Sequence, residues 1–191
     1  MTKIITITLV LVFHVIHAQQ EFEVFQTEFV ECFPEYKNGE SFEIFDKIEG
    51  TVIAKFEALK KENCYYKFAI AESQGGWLKI ANFMVAPGCQ DHSINNDIEF
   101  FKGNWIKSDI MKIDIADLDV DPQNGIKFYA NPDRNSEIVF QSGQYLSTNL
   151  IEVKGLWAKV VFAIDNEIIS GWLERSNQCA YPWTTCTNME D

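Results

Sequence analysis

Apolar residues fall at every second position through much of this chain, and one arrangement of them occurs twice. Between Gly155 and Trp172, Ala158, Val160, Phe162 and Ile164 alternate with Trp157, Lys159 and their neighbours. Successive side chains on a strand point to opposite faces, so this spacing predicts a half-buried strand. Asp165 and Asn166 follow, two residues that tolerate positive φ, and Ile168, Ile169, Trp172 and Leu173 resume beyond them. A β-hairpin is the expected result. The stretch Trp157-Ala158-Lys159-Val160 with Gly171-Trp172-Leu173 answers to an earlier Trp77-Leu78-Lys79-Ile80 with Gly103-Asn104-Trp105-Ile106.

The same pattern places further strands. Phe42 to Phe45 and Thr51 to Phe56 flank a turn at Glu49-Gly50, Cys64 to Ile70 resumes strand character, and Gly75-Gly76 turns the chain into Trp77. Trp77 and Trp105 stand 28 positions apart, against 15 for Trp157 and Trp172. The excess, Met84 to Lys102, reads as a loop inserted at a hairpin tip, where a partner contact or a tolerated insertion held through Cys89 are both open. Near the start, Phe22 and Val24 alternate with Glu21 and Glu23. This suits an edge strand ended by Pro34 and the Lys37-Asn38-Gly39 turn, although Phe22, Phe25 and Phe29 also keep helical spacing. Ile110, Ile113 and Ile115 keep sheet patterning, and Asp117 to Asn124 reads as a linker. Its aspartates invite a calcium reading, but Pro122 stands where a helix-loop-helix calcium loop needs glycine.

From Asn124 onward the residues resemble a known family. Ile126-Lys127-Phe128 running into Asn131-Pro132, a short polar loop, then Ile138-Val139, is similar to the opening of bacterial SH3-like (Src-homology-3 type) domains. Trp157-Ala158-Lys159-Val160 and Gly171-Trp172-Leu173 look like that family's later signatures. Tyr129 stands where the family often has arginine and Asn131 where it often has glycine. Residues 41–116 resemble the family more weakly. The resemblance implies an all-β chain of two tandem small SH3-like barrels, residues 41–116 and 125–191, joined by a linker at 117–124 and preceded by an extension at 19–40. It also implies a ligand from the cell envelope, either a peptidoglycan peptide or a protein.

Charge and composition narrow the partners. The chain has a net charge of −12, which repels nucleic acid and anionic lipid and favours a basic partner protein. The opening MTKIITITLVLVFHVIHA carries one lysine and a short apolar run, as a secretory signal cleaved after Ala18 does, and is too short for a spanning helix. Export to an oxidising compartment would pair some of the five cysteines. Cys179 with Cys186 is the first expected bridge, because Pro182 favours a turn between them, and Cys64 with Cys89 the second, leaving Cys32 free.

Candidate chemistry is sparse. Cys89 and His92 offer two ligands where zinc takes four, and as a Cys-His pair they lack an orienting third group, so neither a metal, a cofactor nor catalysis is expected. Aromatic surface remains. Trp77 and Trp157 alternate out of phase with the apolar rows beside them, which places them at a groove with Tyr129, Tyr181 and Trp183, whereas Trp105 and Trp172 read as core tryptophans. Such a groove suits an extended peptide or glycan. The expected function is a secreted or periplasmic, non-catalytic binding module. The alternatives are an inhibitor or immunity protein against a basic envelope enzyme, and a cysteine hydrolase built on Cys89 and His92.

Overall fold

The computed structural model describes residues 28–35, 41–59, 64–85, 98–115 and 125–180. These residues form thirteen strands and three single helical turns. No helix among the described residues is long and apolar enough to cross a membrane.

The first half contains β1 (Val30–Pro34), the hairpin of β2 (Ser41–Phe45) and β3 (Val52–Glu57), and the long hairpin of β4 (Tyr66–Gln74) and β5 (Trp77–Val85). One turn of helix, α1 (Ile98–Phe101), leads into β6 (Trp105–Lys107), and a 3-10 turn (Ser108–Ile110) leads into β7 (Met111–Ile115). The second half contains β8 (Ile126–Tyr129), β9 (Ile138–Ser142), β10 (Ser147–Lys154), β11 (Trp157–Ile164), β12 (Glu167–Leu173), a 3-10 turn (Arg175–Asn177) and β13 (Gln178–Cys179). Turn chemistry sits where the sequence places it. Gly75 and Gly76 have φ of +55° and +83°, and Asp165 and Asn166 have φ of 50° and 68°, the paired left-handed residues that close a two-residue hairpin.

The strands follow one antiparallel path, β3-β2-β6-β5-β4-β1-β7-β10-β11-β12-β8-β9, with β13 added on β7. Each half repeats the other's order: β3-β2-β6-β5-β4 corresponds to β9-β8-β12-β11-β10. The registers repeat as well. A bulge falls between Ile44 and Phe45 and again between Phe128 and Tyr129, and another between Ile70 and Glu72 and again between Leu150 and Glu152. The path is open, with β3 and β9 at its ends, and it runs from one half into the other through β1 and β7 instead of dividing into two separate sheets. The apolar side chains likewise form one core that draws on both halves, from Phe42, Phe68 and Phe83 to Phe128, Leu150 and Leu173. Phe68 stacks on Phe83 at 4.9 Å and meets Phe42 edge-on at 5.5 Å. Gly171 has a steric reason to be glycine, since a Cβ there would lie 2.8 Å from the Phe128 Cβ and 2.9 Å from the Val139 Cγ2.

One expectation is corrected at the N-terminal side. Phe22 and Val24 lie outside the described residues, and the strand that ends at Pro34 is no edge strand. β1 is buried along its whole length, its first residues paired with β4 and its last with β7. Ser147–Lys154, which carries no strong sequence signal, is a full strand between β7 and β11.

The junction between the halves is polar on the face away from the core. Glu31 of β1 and Lys67 of β4 form an ion pair of 2.7 Å at 4 and 5% side-chain exposure, with the Arg175 guanidinium 3.8 Å from the same carboxylate. Asp114 of β7 is buried, accepts a hydrogen bond from the Tyr145 hydroxyl, and has an Oδ1 with no partner. Burial pushes the Asp114 carboxyl above its ordinary range, against the opposing hydrogen bonds from Tyr145 and Ser147. Burial and the same carboxylate push the Tyr145 phenol up. Cys32 is buried and free, its thiol pushed well up by burial and by Glu31. Cys64 and Cys179 are disulfide-bonded; the expected partners, Cys89 and Cys186, lie outside the described residues, as do the linker at 117–124 and residues 86–97 of the insertion.

Phe68→Ala should lower the unfolding free energy by about 3–5 kcal/mol, the cost of emptying a buried aromatic site, measured by urea titration. Asp114→Asn tests the buried carboxyl. A group with a raised folded-state pKa contributes stability below the ordinary carboxylate range and loses it as pH rises through the folded value. The asparagine variant should therefore gain on the wild type at pH 7, with the gain shrinking toward pH 4. A difference that does not change with pH would contradict the burial effect.

Candidate functional site

The face of the sheet opposite the core carries two matching rows of side chains. Partners directly opposite across antiparallel strands project to the same face. In the first half the register links Val52 to Phe45, Phe45 to Trp105, Trp105 to Lys79, and Lys79 to Glu72. In the second half it links Ile138 to Tyr129, Tyr129 to Trp172, Trp172 to Lys159, and Lys159 to Glu152. Each row is an aliphatic residue, an aromatic, a tryptophan, a lysine and a glutamate on five successive strands.

The interactions repeat along with the residues. Lys79 lies 2.8 Å from Glu72 and 5.6 Å from the centre of the Trp105 ring. Lys159 lies 3.5 Å from Glu152 and 5.8 Å from the Trp172 ring. A second tryptophan, two residues before each lysine, meets the row's aromatic edge-on: Trp77 against Phe45 at 4.9 Å and 87°, and Trp157 against Tyr129 at 5.6 Å and 86°. Edge-to-face pairs of this kind favour a fixed ring geometry, and lysine over an indole face is held by the ring quadrupole. The open, half-wet setting keeps each such contact modest in energy.

The rows differ in one position. Lys107, next after Ile106, lies 5.8 Å over Phe45 and 5.7 Å over Trp77. Its counterpart after Leu173 is Glu174, which accepts hydrogen bonds from Nε and a terminal nitrogen of Arg134. Trp77 is 9% exposed beneath Lys107, whereas Trp157 is only half-buried.

The structure thus brings Tyr129 and Trp157 together and places Trp77 in the corresponding site of the other half. Tyr181 and Trp183 lie outside the described residues, as do Cys89 and His92. The facing of two tryptophans is corrected. Trp105 and Trp172 share a face with Lys79 and Lys159 and do not point into the core with Ile106 and Leu173; no described tryptophan belongs to the core cluster. Trp172 is buried because Lys159 covers it, and Trp77, expected at an open groove, is buried because Phe45 and Lys107 cover it. Sequence reasoning missed Phe45, Lys107 and Glu174. The signal for the last two was the residue that follows the Trp-Ile and Trp-Leu pairs, lysine in one repeat and glutamate in the other. Among the described residues, no three histidine, cysteine or acidic side chains group as metal ligands.

No protein-family model matches the chain, and neither a curated protein nor a solved structure shows significant similarity to it.

Trp172→Ala should cost about 3 kcal/mol, at the low end for a buried aromatic because one side is covered by a lysine stem. Trp157→Ala should cost about 1 kcal/mol by the same reasoning. Urea unfolding of both variants checks the difference, and equal losses would contradict the unequal cover.

Proposed function

We propose that this protein is a secreted, non-catalytic binding module of two SH3-like units that holds an extended peptide from a cell-envelope component, a wall peptide or a protein. The observation that carries the reading is the duplicated aromatic row, above all the buried Tyr129 and the half-buried Trp157 that meets it edge-on, on the face away from the core. Duplicated ring pairs with fixed edge-on geometry offer rigid apolar walls, and the flanking lysine, glutamate and arginine offer polar contacts at their rims. That combination suits peptide recognition by stacking and hydrogen bonding. Export and the SH3-like character of the two units rest on the leader-like opening and the motifs of residues 125–175.

A second reading, inhibition of a basic envelope enzyme, draws on the net charge of −12 and on the exposed Phe100 of α1, at 63% exposure in the insertion between β5 and β6. Immobilised full-length protein exposed to envelope extract separates the two. Retention of wall fragments or an extended peptide, lost at least tenfold in Trp157→Ala and unchanged in Phe100→Ser, is the expected outcome. Retention of a basic enzyme that depends on Phe100 and not on Trp157 would favour the inhibitor.

A further inference from the structure

We infer that the Tyr129–Trp157 pair receives a cationic side chain, a lysine-type ammonium carried by an extended peptide. The inference rests on the binding-module reading and names the chemistry recognised by its second half. The first half already contains the corresponding complex. There the Lys107 ammonium lies over both rings of the equivalent pair, Phe45 and Trp77, and Trp77 is buried beneath it.

Glu174 occupies the Lys107 position by two independent measures. Ile106 pairs with Leu78 as Leu173 pairs with Ala158, so the next residue falls at the same place in each half. Lys107 and Glu174 each precede a 3-10 turn, with nearly the same backbone angles, φ −72° and ψ 143° against φ −71° and ψ 152°. The substitution at this position reverses the charge. The rings remain and the internal cation is gone, replaced by a carboxylate that attracts one.

Among the described residues the cations over rings are Lys79, Lys107 and Lys159, on Trp105, Phe45, Trp77 and Trp172. None lies over Tyr129 or Trp157. Arg134 does reach Glu174, donating two hydrogen bonds to Oε1, and is itself 67% exposed, so an incoming ammonium competes with an ion pair screened by solvent. Two aromatic faces with one carboxylate at their rim favour a desolvated cation over a neutral side chain. The acidity of the whole chain adds long-range attraction for a basic peptide.

The test follows the Trp157 indole NH by NMR in the full chain as tetralysine amide, or its fully ε-acetylated form, is added. A saturable shift with tetralysine, at least tenfold weaker after acetylation, is expected. Glu174→Lys rebuilds the first-half arrangement and should abolish the response while leaving the circular dichroism unchanged. Lys107→Glu should add a second response at the Trp77 indole and raise the stoichiometry from one to two. Equal binding of the acetylated peptide, or a response that survives Glu174→Lys, overturns the inference, the latter because it marks attraction to the acidic surface alone. A Trp157 shift with uncharged wall fragments and none with tetralysine overturns the inference and leaves the module standing. No Trp157 response to wall fragments, retained envelope proteins or tetralysine overturns both.

Discussion

Strand β7 is bonded on both edges by three different strands, and the relation between the two halves depends on it. β10 runs along one edge through Lys112, Ile113 and Asp114. The other edge is divided, with β1 at Met111 and Lys112 and β13 at Asp114 and Ile115. Backbone donors and acceptors in a buried strand must find partners, and here those partners come from the start, middle and end of the described chain. β7 ends the first half, after its 3-10 turn, and pairs with β10 and β13 of the second half, so neither half can complete its hydrogen bonding alone. The Glu31–Lys67 pair belongs to the same junction. Two charges nearly out of water gain little over an apolar pair, but removing one partner of a buried pair is costly, which favours one register of β1 against β4.

Much of the β architecture was legible because alternation is a local property. The Trp157 hairpin, the Asp165-Asn166 turn, the Gly75-Gly76 turn and the strands at 42–45 and 52–56 need only neighbours in sequence to define them. β1 and β10 were harder. Val30 to Pro34 contains a proline, a glutamate and a cysteine, and its central position comes from β4 and β7, distant partners that no local pattern reports. Ser147 to Lys154 is polar at five of its eight positions, four of which are at least partly exposed.

The facing of the tryptophans shows a different limit. Alternation says that Trp105 and Ile106 point opposite ways but leaves open which one meets the core. Large aromatics are the natural guess for a core, yet Ile106, Leu78 and Leu173 take it, and the tryptophans form the outer rows. What distinguishes the two faces is the lysine opposite each tryptophan. A long amphipathic stem can shelter an indole while its ammonium stays wet, and that is how a large apolar ring is hidden on the outside of a sheet.

The two ends of the open path carry a further consequence. Among the described residues β3 and β9 each present an edge with no strand partner, the surface on which strands of other copies can add and grow into fibrils. Each edge strand is joined to its neighbour across a bulge at the same place, beside Phe45 and beside Tyr129, and a bulge bends its strand and breaks the regular spacing that stacking requires. The outward residues of β3 include Lys55 and Glu57. A duplicated chain would be at risk of joining end to end, since two similar halves offer two similar termini to the sheet. The repeated bulges set a kink at both termini, so the protein keeps its sheet finite with the same irregularity that shapes its aromatic rows.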